Sequence, residues 1–239
     1  MKRIMMLITM VIAIFNYTFS INMSTTVFDQ RIDTGGYREI VFKNNGNKPV
    51  RYKFTVQKFG DKKDMSQWIR LYPKVMNIPP AGEKVLKIYA KSPKNTEVGE
   101  YSFALITSPI VIPSIQESKG KIVGNSSISF TPVIEMLGYV GEPNFSENLI
   151  LTNLKLTSKD GGVEITGKIE NRSFAGIHIG MNLFTANDHL LTGDWLGRIS
   201  KNSSDNFKIF FPNLKNKNDI KKIVIYDSTN LKDLKTIVI

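Results

Sequence analysis

Cysteine is absent from the 239 residues, and only two histidines occur. Without cysteine the chain forms neither disulfides nor thiolate metal sites, so its domains depend on packing alone. His178 and His189 are the two histidines, and no acidic residue stands beside His178, whereas a zinc site needs three or four protein ligands. The Asp188–His189 pair is typical of a polar turn. We therefore expect no metal and no organic cofactor.

The sequence also lacks the signatures of common catalytic sites. There is no G-x-S-x-G nucleophile elbow, no G-x-x-x-x-G-K-[ST] phosphate loop and no strand-to-helix G-x-G-x-x-G. Asp160 and Glu164 could be a carboxylate pair, but Ser158–Gly162 is predicted as a hairpin-type turn and Val163–Glu170 as the strand after it, which favours a structural role. Trp68 and Trp195 are interpreted as core anchors rather than as platforms that stack sugars. We expect neither an enzyme nor a small-molecule substrate.

The chain carries a net charge of +11, with 32 basic and 21 acidic residues. The positive charge comes mostly from lysines spread singly along strands and turns, and there is no arginine-rich stripe. Lysines placed in this way favour solubility and discourage pairing between sheet edges. A nucleic-acid partner is therefore not expected.

The first twenty residues have the order of a secretory signal. Lys2 and Arg3 precede the apolar run Ile4–Phe15, and Thr18 and Ser20 place small side chains two positions apart. The run is shorter than the ~20 apolar residues that span a bilayer. We predict a signal peptide over residues 1–20, cleaved after Ser20, with an uncleaved membrane anchor as the alternative.

The remaining sequence consists of short strands separated by turn residues, without strong helical periodicity. Val163–Glu170 alternates apolar and polar residues, and Tyr52, Phe54 and Val56 alternate with polar neighbours. This pattern predicts an all-β fold made of two immunoglobulin-like β-sandwich domains in tandem, over residues 21–141 and 142–239. The boundary is placed in the Gly- and Pro-containing segment Gly138–Ser146.

Three further segments of the first half matter below. Thr25–Asp29 is predicted as a short opening strand. Ser108–Asn125 is a connection rich in Pro and Gly, and its length is typical of functional or mobile loops. Ile128–Tyr139 is predicted as a long strand, which Pro132 would make an edge strand or bulge.

Several motifs of the first half follow one another in a particular order. They are Val27-Phe28-Asp29, Ile40-Val-Phe-Lys-Asn-Asn45, Trp68-Ile69, Tyr72-Pro73, Ile78-Pro-Pro-Ala-Gly-Glu-Lys84 and Gly99-Glu-Tyr-Ser-Phe103. In this order, residues 25–139 resemble the N-terminal domain of the periplasmic pilus chaperones, the PapD-like family. The match covers about half of the chain after residue 20.

The resemblance implies two immunoglobulin-like domains with a cleft between them, and a last strand of the first domain that pairs with an incomplete pilin subunit. Such strand addition gives affinity through backbone bonds and specificity through alternate side chains. The side chains that this implies for client binding are Ile128, Phe130, Pro132, Ile134 and Met136.

The resemblance also implies two basic residues that hold the carboxylate at the subunit's C-terminus. At the matching positions this chain has Thr25 in the first strand and Glu135 in the last strand. Either the alignment shifts, or another base such as Arg31 or Lys121 takes the role, or the client differs.

The function expected from the resemblance is a periplasmic, chaperone-like protein that binds exported pilus or surface-structure subunits. An outer-membrane assembly protein is a further possible partner. The alternative is a structural or adhesive sandwich subunit of a surface assembly. The few residues between Ser20 and Val27 are too short for a donor extension of a pilin-like subunit, which favours the chaperone.

Overall fold

The computed structural model describes residues 21–110, 116–118, 121–123 and 130–239. The predicted signal peptide, Ile128 and most of the Ser108–Asn125 connection lie outside the described residues. In the described part, helix is limited to Phe145–Asn148 and the two 3-10 turns Ser66–Trp68 and Lys217–Asp219. No helix among these residues has the length and apolar character needed to cross a bilayer.

Strands account for most of the described chain. In order they are β1 (Ile21–Met23), β2 (Gln30–Arg31), β3 (Gly36–Asn44), β4 (Val50–Gln57), β5 (Ile69–Tyr72), β6 (Val75–Ile78), β7 (Glu83–Ala90), β8 (Gly99–Pro109), β9 (Gln116–Ser118), β10 (Lys121–Val123), β11 (Val133–Val140), β12 (Leu149–Lys159), β13 (Gly162–Asn171), β14 (Ile177–Phe184), β15 (Leu190–Ile199), β16 (Ser203–Phe211), β17 (Lys222–Asp227) and β18 (Lys232–Val238). The predicted all-β fold is confirmed.

Contacts between residues divide the chain into two compact units. The first unit comprises the described parts of residues 1–28, 34–93 and 102–137, and the second comprises Asp29–Asp33, Lys94–Tyr101 and Gly138–Ile239. The sheets, with neighbouring strands in order, are β1-β3-β7-β5, β2-β11-β8-β4-β6, β12-β13-β16 and β15-β14-β17-β18, with β10-β9 as a separate hairpin.

The interior of the first unit lies between two sheets. Phe42 of β3 and Phe54 of β4 meet with ring centroids 5.0 Å apart, which joins the four-stranded sheet to the five-stranded one. Phe28 packs edge-on against Phe103 at 6.0 Å. Aromatic side chains of this size bury 150–250 Å² each, so these two pairs contribute a large part of the unit's hydrophobic stabilisation.

The second unit is a sandwich of the two remaining sheets. The core residues of β13 alternate as the sequence predicts, with Val163, Ile165 and Ile169 buried. Gly167 occupies the fourth inward position, where the ring of Phe207 lies so close that a Cβ would approach it to 2.7 Å. The facing sheet supplies Ile177, Ile179, Met181, Leu183, Ile223 and Ile225.

The hairpin predicted around Ser158–Gly162 is confirmed. Lys159 pairs with Gly162, which leaves a two-residue loop of Asp160 and Gly161. Both loop residues have positive φ, 48° and 77°, as a type I′ turn requires. Asp160 and Glu164 therefore belong to a turn and its strand.

Two predicted strands differ from the structure. Residues 25–29 are not a strand; the pairing segments are β1 before them and β2 after them. The strand predicted over Ile128–Tyr139 begins only at Val133 and extends to Val140. Pro132 lies just before it, because proline has no N–H to donate to a ladder.

Candidate functional site

The orientation of β11 is fixed by a hydrogen bond at each end. The N–H of Thr107 in β8 donates to the carbonyl of Pro132 at 3.0 Å, so the even-numbered position faces β8. The N–H of Ile32 donates to the carbonyl of Tyr139 at 2.9 Å, so the odd-numbered position faces the other side. The N–H and C=O groups of successive residues point to opposite sides of a strand. Between Pro132 and Tyr139, the backbone groups of the odd-numbered residues therefore point away from β8.

The side of β11 that faces away from β8 is open over much of its length. Strand β2 pairs there only with Gly138 and Tyr139. Among the described residues no strand pairs with 133–137 on this side. The N–H and C=O groups of Val133 and Glu135 and the N–H of Leu137 therefore form an edge that could accept another strand. We call residues 133–137 the open edge.

The side chains predicted to bind a client occupy different environments. Phe130 is 61% exposed, whereas Met136 is 1% exposed and lies in the interior. Pro132 and Ile134 are half-buried between these extremes. The predicted row therefore passes from the surface into the core as β11 enters the sandwich.

Val133 was not among the predicted side chains, and it is 51% exposed. It follows Pro132 directly, whereas the predicted side chains all lie at even-numbered positions of the strand. Because β11 starts at Val133, odd- and even-numbered side chains are both accessible at its first residues. The apolar surface next to the open edge consists of Phe130 and Val133, with Pro132 between them.

The two positions matched to the family's basic residues carry no positive charge. Glu135 forms an ion pair with Lys62, with Nζ and Oε1 2.5 Å apart. The hydroxyl of Thr25 accepts a hydrogen bond from the N–H of Val27 at 3.1 Å. Arg31, one suggested substitute, is held by Asp33 at 2.8 Å and by Glu142 at 2.5 Å. The side chain of Lys121, the other suggested substitute, is outside the described part of the structure.

Arg38 is a basic residue of the first unit that sequence reasoning missed. It lies on β3 and is half-buried, and its Nε is buried without a hydrogen-bond partner in the described structure. Its other guanidinium contact is long, 3.5 Å from Nη2 to the carbonyl of Phe28. No described carboxylate forms an ion pair with it. A half-buried guanidinium without a carboxylate partner favours the binding of an anion, because an unpaired buried charge is costly.

A buried ionic cluster lies in the second unit. Nε of Arg198 is 2.8 Å from Asp29 Oδ2, and its Nη2 is 2.6 Å from Glu100 Oε2. Glu100 also accepts from the N–H of Gly176 at 2.7 Å. Burial acts to lower the pKa of Arg198, but hydrogen bonds and charge from Asp29 and Glu100 outweigh it, and the pKa is raised. The guanidinium therefore stays charged and holds three sequence segments together.

His178 joins this cluster, although no acidic residue stands beside it in the sequence. Its Nε2 lies 3.2 Å from Asp29 Oδ2. The imidazole stacks on Trp195, with centroids 6.0 Å apart and planes 8° from parallel. Trp195 is 59% exposed, so its interpretation as a core anchor is wrong. Within the described residues, no three His, Asp or Glu side chains are grouped as metal ligands.

Solved structures with a similar fold include several chaperones. They are the chaperone DraB of E. coli (12% identity, 92% of this chain and 98% of that one, TM-score 0.45), the YadV chaperone (13%, 92% and 100%, 0.43) and the CupB2 chaperone of Pseudomonas aeruginosa (11%, 87% and 94%, 0.41). No protein-family model and no curated protein matches the sequence.

Proposed function

We propose that this protein is a periplasmic chaperone that binds exported protein subunits by adding one of their strands to the open edge of β11. The observation that carries the proposal is the edge itself, with three residues whose backbone groups face away from β8 next to exposed Phe130 and Val133. Backbone hydrogen bonds would supply affinity, and apolar side chains of the client would pack on Phe130 and Val133.

Comparison with the other long edge strands supports this choice. Strands β12, β15 and β18 each show a register irregularity against their neighbour, a feature that discourages pairing with another chain. The fourth edge of the second unit, β16, exposes Asp205 and Lys208. The open edge has no lysine, and its one charged residue, Glu135, is already neutralised by Lys62.

The location and the type of activity are parts of the same proposal. Export to the periplasm rests on the signal-like order of residues 1–20. The activity is binding without catalysis or cofactor, and the partners are exported pilin-like or other surface subunits, with an outer-membrane assembly protein as a possible further partner. Arg38 is the candidate for holding a client carboxylate in this unit.

Two proline substitutions in β11 test strand addition directly. The N–H of residue 135 faces the open edge, whereas that of residue 134 faces β8. Glu135→Pro should therefore leave the ladder to β8 intact but block an incoming strand, so the protein folds and client capture is lost. Ile134→Pro should remove a ladder bond and lower the thermal midpoint by several degrees, because interior strand prolines destabilise.

Capture is measured by pull-down from a periplasmic extract of the producing cell, with bound subunits identified by mass spectrometry. Hydrogen exchange of the complex should then show new protection at the amides of Val133, Glu135 and Leu137. Glu135→Ala is the matched control, since it removes the ion pair with Lys62 but keeps the N–H, and it should still capture the client. Full capture by the Glu135→Pro variant would contradict the proposal.

A further inference from the structure

A cavity in the first unit lies where the chain crosses from one sheet to the other. The chain leaves β5 at Tyr72, turns through Pro73 and Lys74, and enters β6 in the facing sheet. Strand β5 is the last strand of its sheet, and among the described strands it pairs only with β7. The crossover therefore leaves a gap between the edges of the two sheets.

The second wall of this gap is β4. Strand β6 pairs with β4 from Val50 to Lys53, and the last bond on that side runs from the N–H of Phe54 to the carbonyl of Lys74, 2.9 Å. Beyond it, no described strand covers β4 on this side. The resulting cavity has a volume of about 530 Å³, within the usual range for small-ligand sites. Its lining is Phe54, Thr55, Val56, Ile69, Arg70, Leu71 and Lys74.

The lining combines an apolar floor with positive charge. Phe54, Ile69 and Leu71 are buried side chains that form the floor. Arg70 and Lys74 are exposed, and neither forms an ion pair with any described residue. No acidic residue lines the cavity. An apolar surface beside two unpaired cations is complementary to a molecule that has an apolar chain and an anionic head.

We infer that this cavity binds a small anionic amphiphile. Its hydrocarbon chain would lie on Phe54, Ile69 and Leu71, and its carboxylate or phosphate between Arg70 and Lys74. The ligand is a free monomer rather than a membrane surface, because the floor side chains are buried and the chain must enter the cavity to reach them. The inference stands independently of strand addition at β11.

The contributions of the apolar chain and of the anionic head can be measured separately with octanoate, 1-octanol and acetate. Titration of the ¹⁵N-labelled protein with octanoate should shift the amides of Thr55, Val56, Arg70 and Lys74 with one saturable site. The uncharged 1-octanol should bind more weakly at the same amides, and acetate should not saturate. Added salt should weaken octanoate binding more than octanol binding.

The double variant Arg70→Gln/Lys74→Gln tests the role of the cations. It should raise the Kd for octanoate about tenfold, because the anionic head loses both cationic partners, and leave octanol binding unchanged. The control Lys43→Gln/Lys84→Gln removes the same charge from exposed positions outside the lining and should bind octanoate like the wild type.

Three results would overturn the inference. The first is octanoate binding at other amides or no saturable binding. The second is equal loss of affinity in the Lys43/Lys84 control, which would assign the effect to net charge. The third is flotation of the protein with phosphatidylglycerol vesicles while free octanoate fails to bind, which would assign this surface to a membrane.

Discussion

Two buried asparagines perform the same task, one in each unit. Nδ2 of Asn44 donates to the carbonyls of Lys48, Ile78 and Pro79, and its Oδ1 accepts from the N–H of Gly46. Asn171 at the end of β13 repeats this arrangement with carbonyls four, 28 and 29 residues later. Each amide fixes the turn after its strand and ties it to a distant segment. The duplicated turn is a structural repeat that the sequence conceals, because only the asparagines are shared.

Substitution of Asn171 should show how much this turn contributes. Asn171→Ala removes the amide that donates to the carbonyls of Ala175, Ile199 and Ser200 and also the acceptor for Ser173, so we expect a loss of about 2–4 kcal/mol in the free energy of unfolding. Urea denaturation measures it. The control Asn206→Ala, at an exposed position of β16, should change stability by less than about 0.5 kcal/mol. Similar midpoints for the two variants would contradict the assigned role.

Arg38 and Arg198 should respond in opposite ways to replacement by methionine. Arg38→Met removes a half-buried charge without a carboxylate partner, so stability should stay constant or rise by up to about 1 kcal/mol, while client capture falls. Arg198→Met leaves Asp29 and Glu100 buried without their cation and should cost about 3–5 kcal/mol. Thermal unfolding beside the pull-down distinguishes them. Strong destabilisation by Arg38→Met would show that its guanidinium has a structural role instead.

At the scale of elements, the predicted strand Val163–Glu170 lies within β13, Gly162–Asn171, which has β12 on one side and β16 on the other. In such strands one face is buried along the whole length, so the pattern of apolar residues reports the structure directly. The turn signal Ser158–Gly162 was equally reliable, since its backbone requirements are local.

Prediction failed where the environment is set by distant parts of the chain. Trp195 lies next to a register shift in β15, which breaks the alternation between core and solvent that its sequence position suggested. The partner of His178 is Asp29, 149 positions away in the sequence. Local pattern carries no information about such pairs, so neither the cluster nor the exposure of Trp195 was accessible from the sequence.

For the same reason, only part of the candidate site could be predicted from the sequence. The segment around β11 was found because its apolar residues and Pro132 stand out locally. Which of its sides is open depends on where β2 ends and how β8 pairs, and both are tertiary facts. Arg38 could not be found from its neighbours in sequence, because the absence of a carboxylate around it is visible only in the folded unit.

At the scale of the whole molecule, the excess of basic residues coexists with a concentration of carboxylates in the second unit. Asp29, Glu100, Glu142 and Asp227 belong to this unit, with Arg31 and Arg198 as their cationic partners or neighbours. Their field reaches Tyr139 at the end of β11. Burial, together with the charges of Asp227, Asp29 and Glu142, raises the pKa of the Tyr139 phenol to about 12, although Arg31 opposes this.

The stability of the molecule should therefore fall in strongly alkaline solution through Tyr139. The folded state favours the neutral phenol, whose ordinary pKa is about 10, so this contribution is fully present below pH ~10 and is lost as the pH rises towards ~12. Urea unfolding at pH 8 and at several values between 10 and 12 should show Tyr139→Phe gaining stability relative to the wild type across that window only. Tyr72→Phe, at a side chain that is 74% exposed, is the control for loss of a phenol and should follow the wild type. A constant difference between Tyr139→Phe and the wild type at every pH would mean that the phenol ionises equally easily in the folded and unfolded chains.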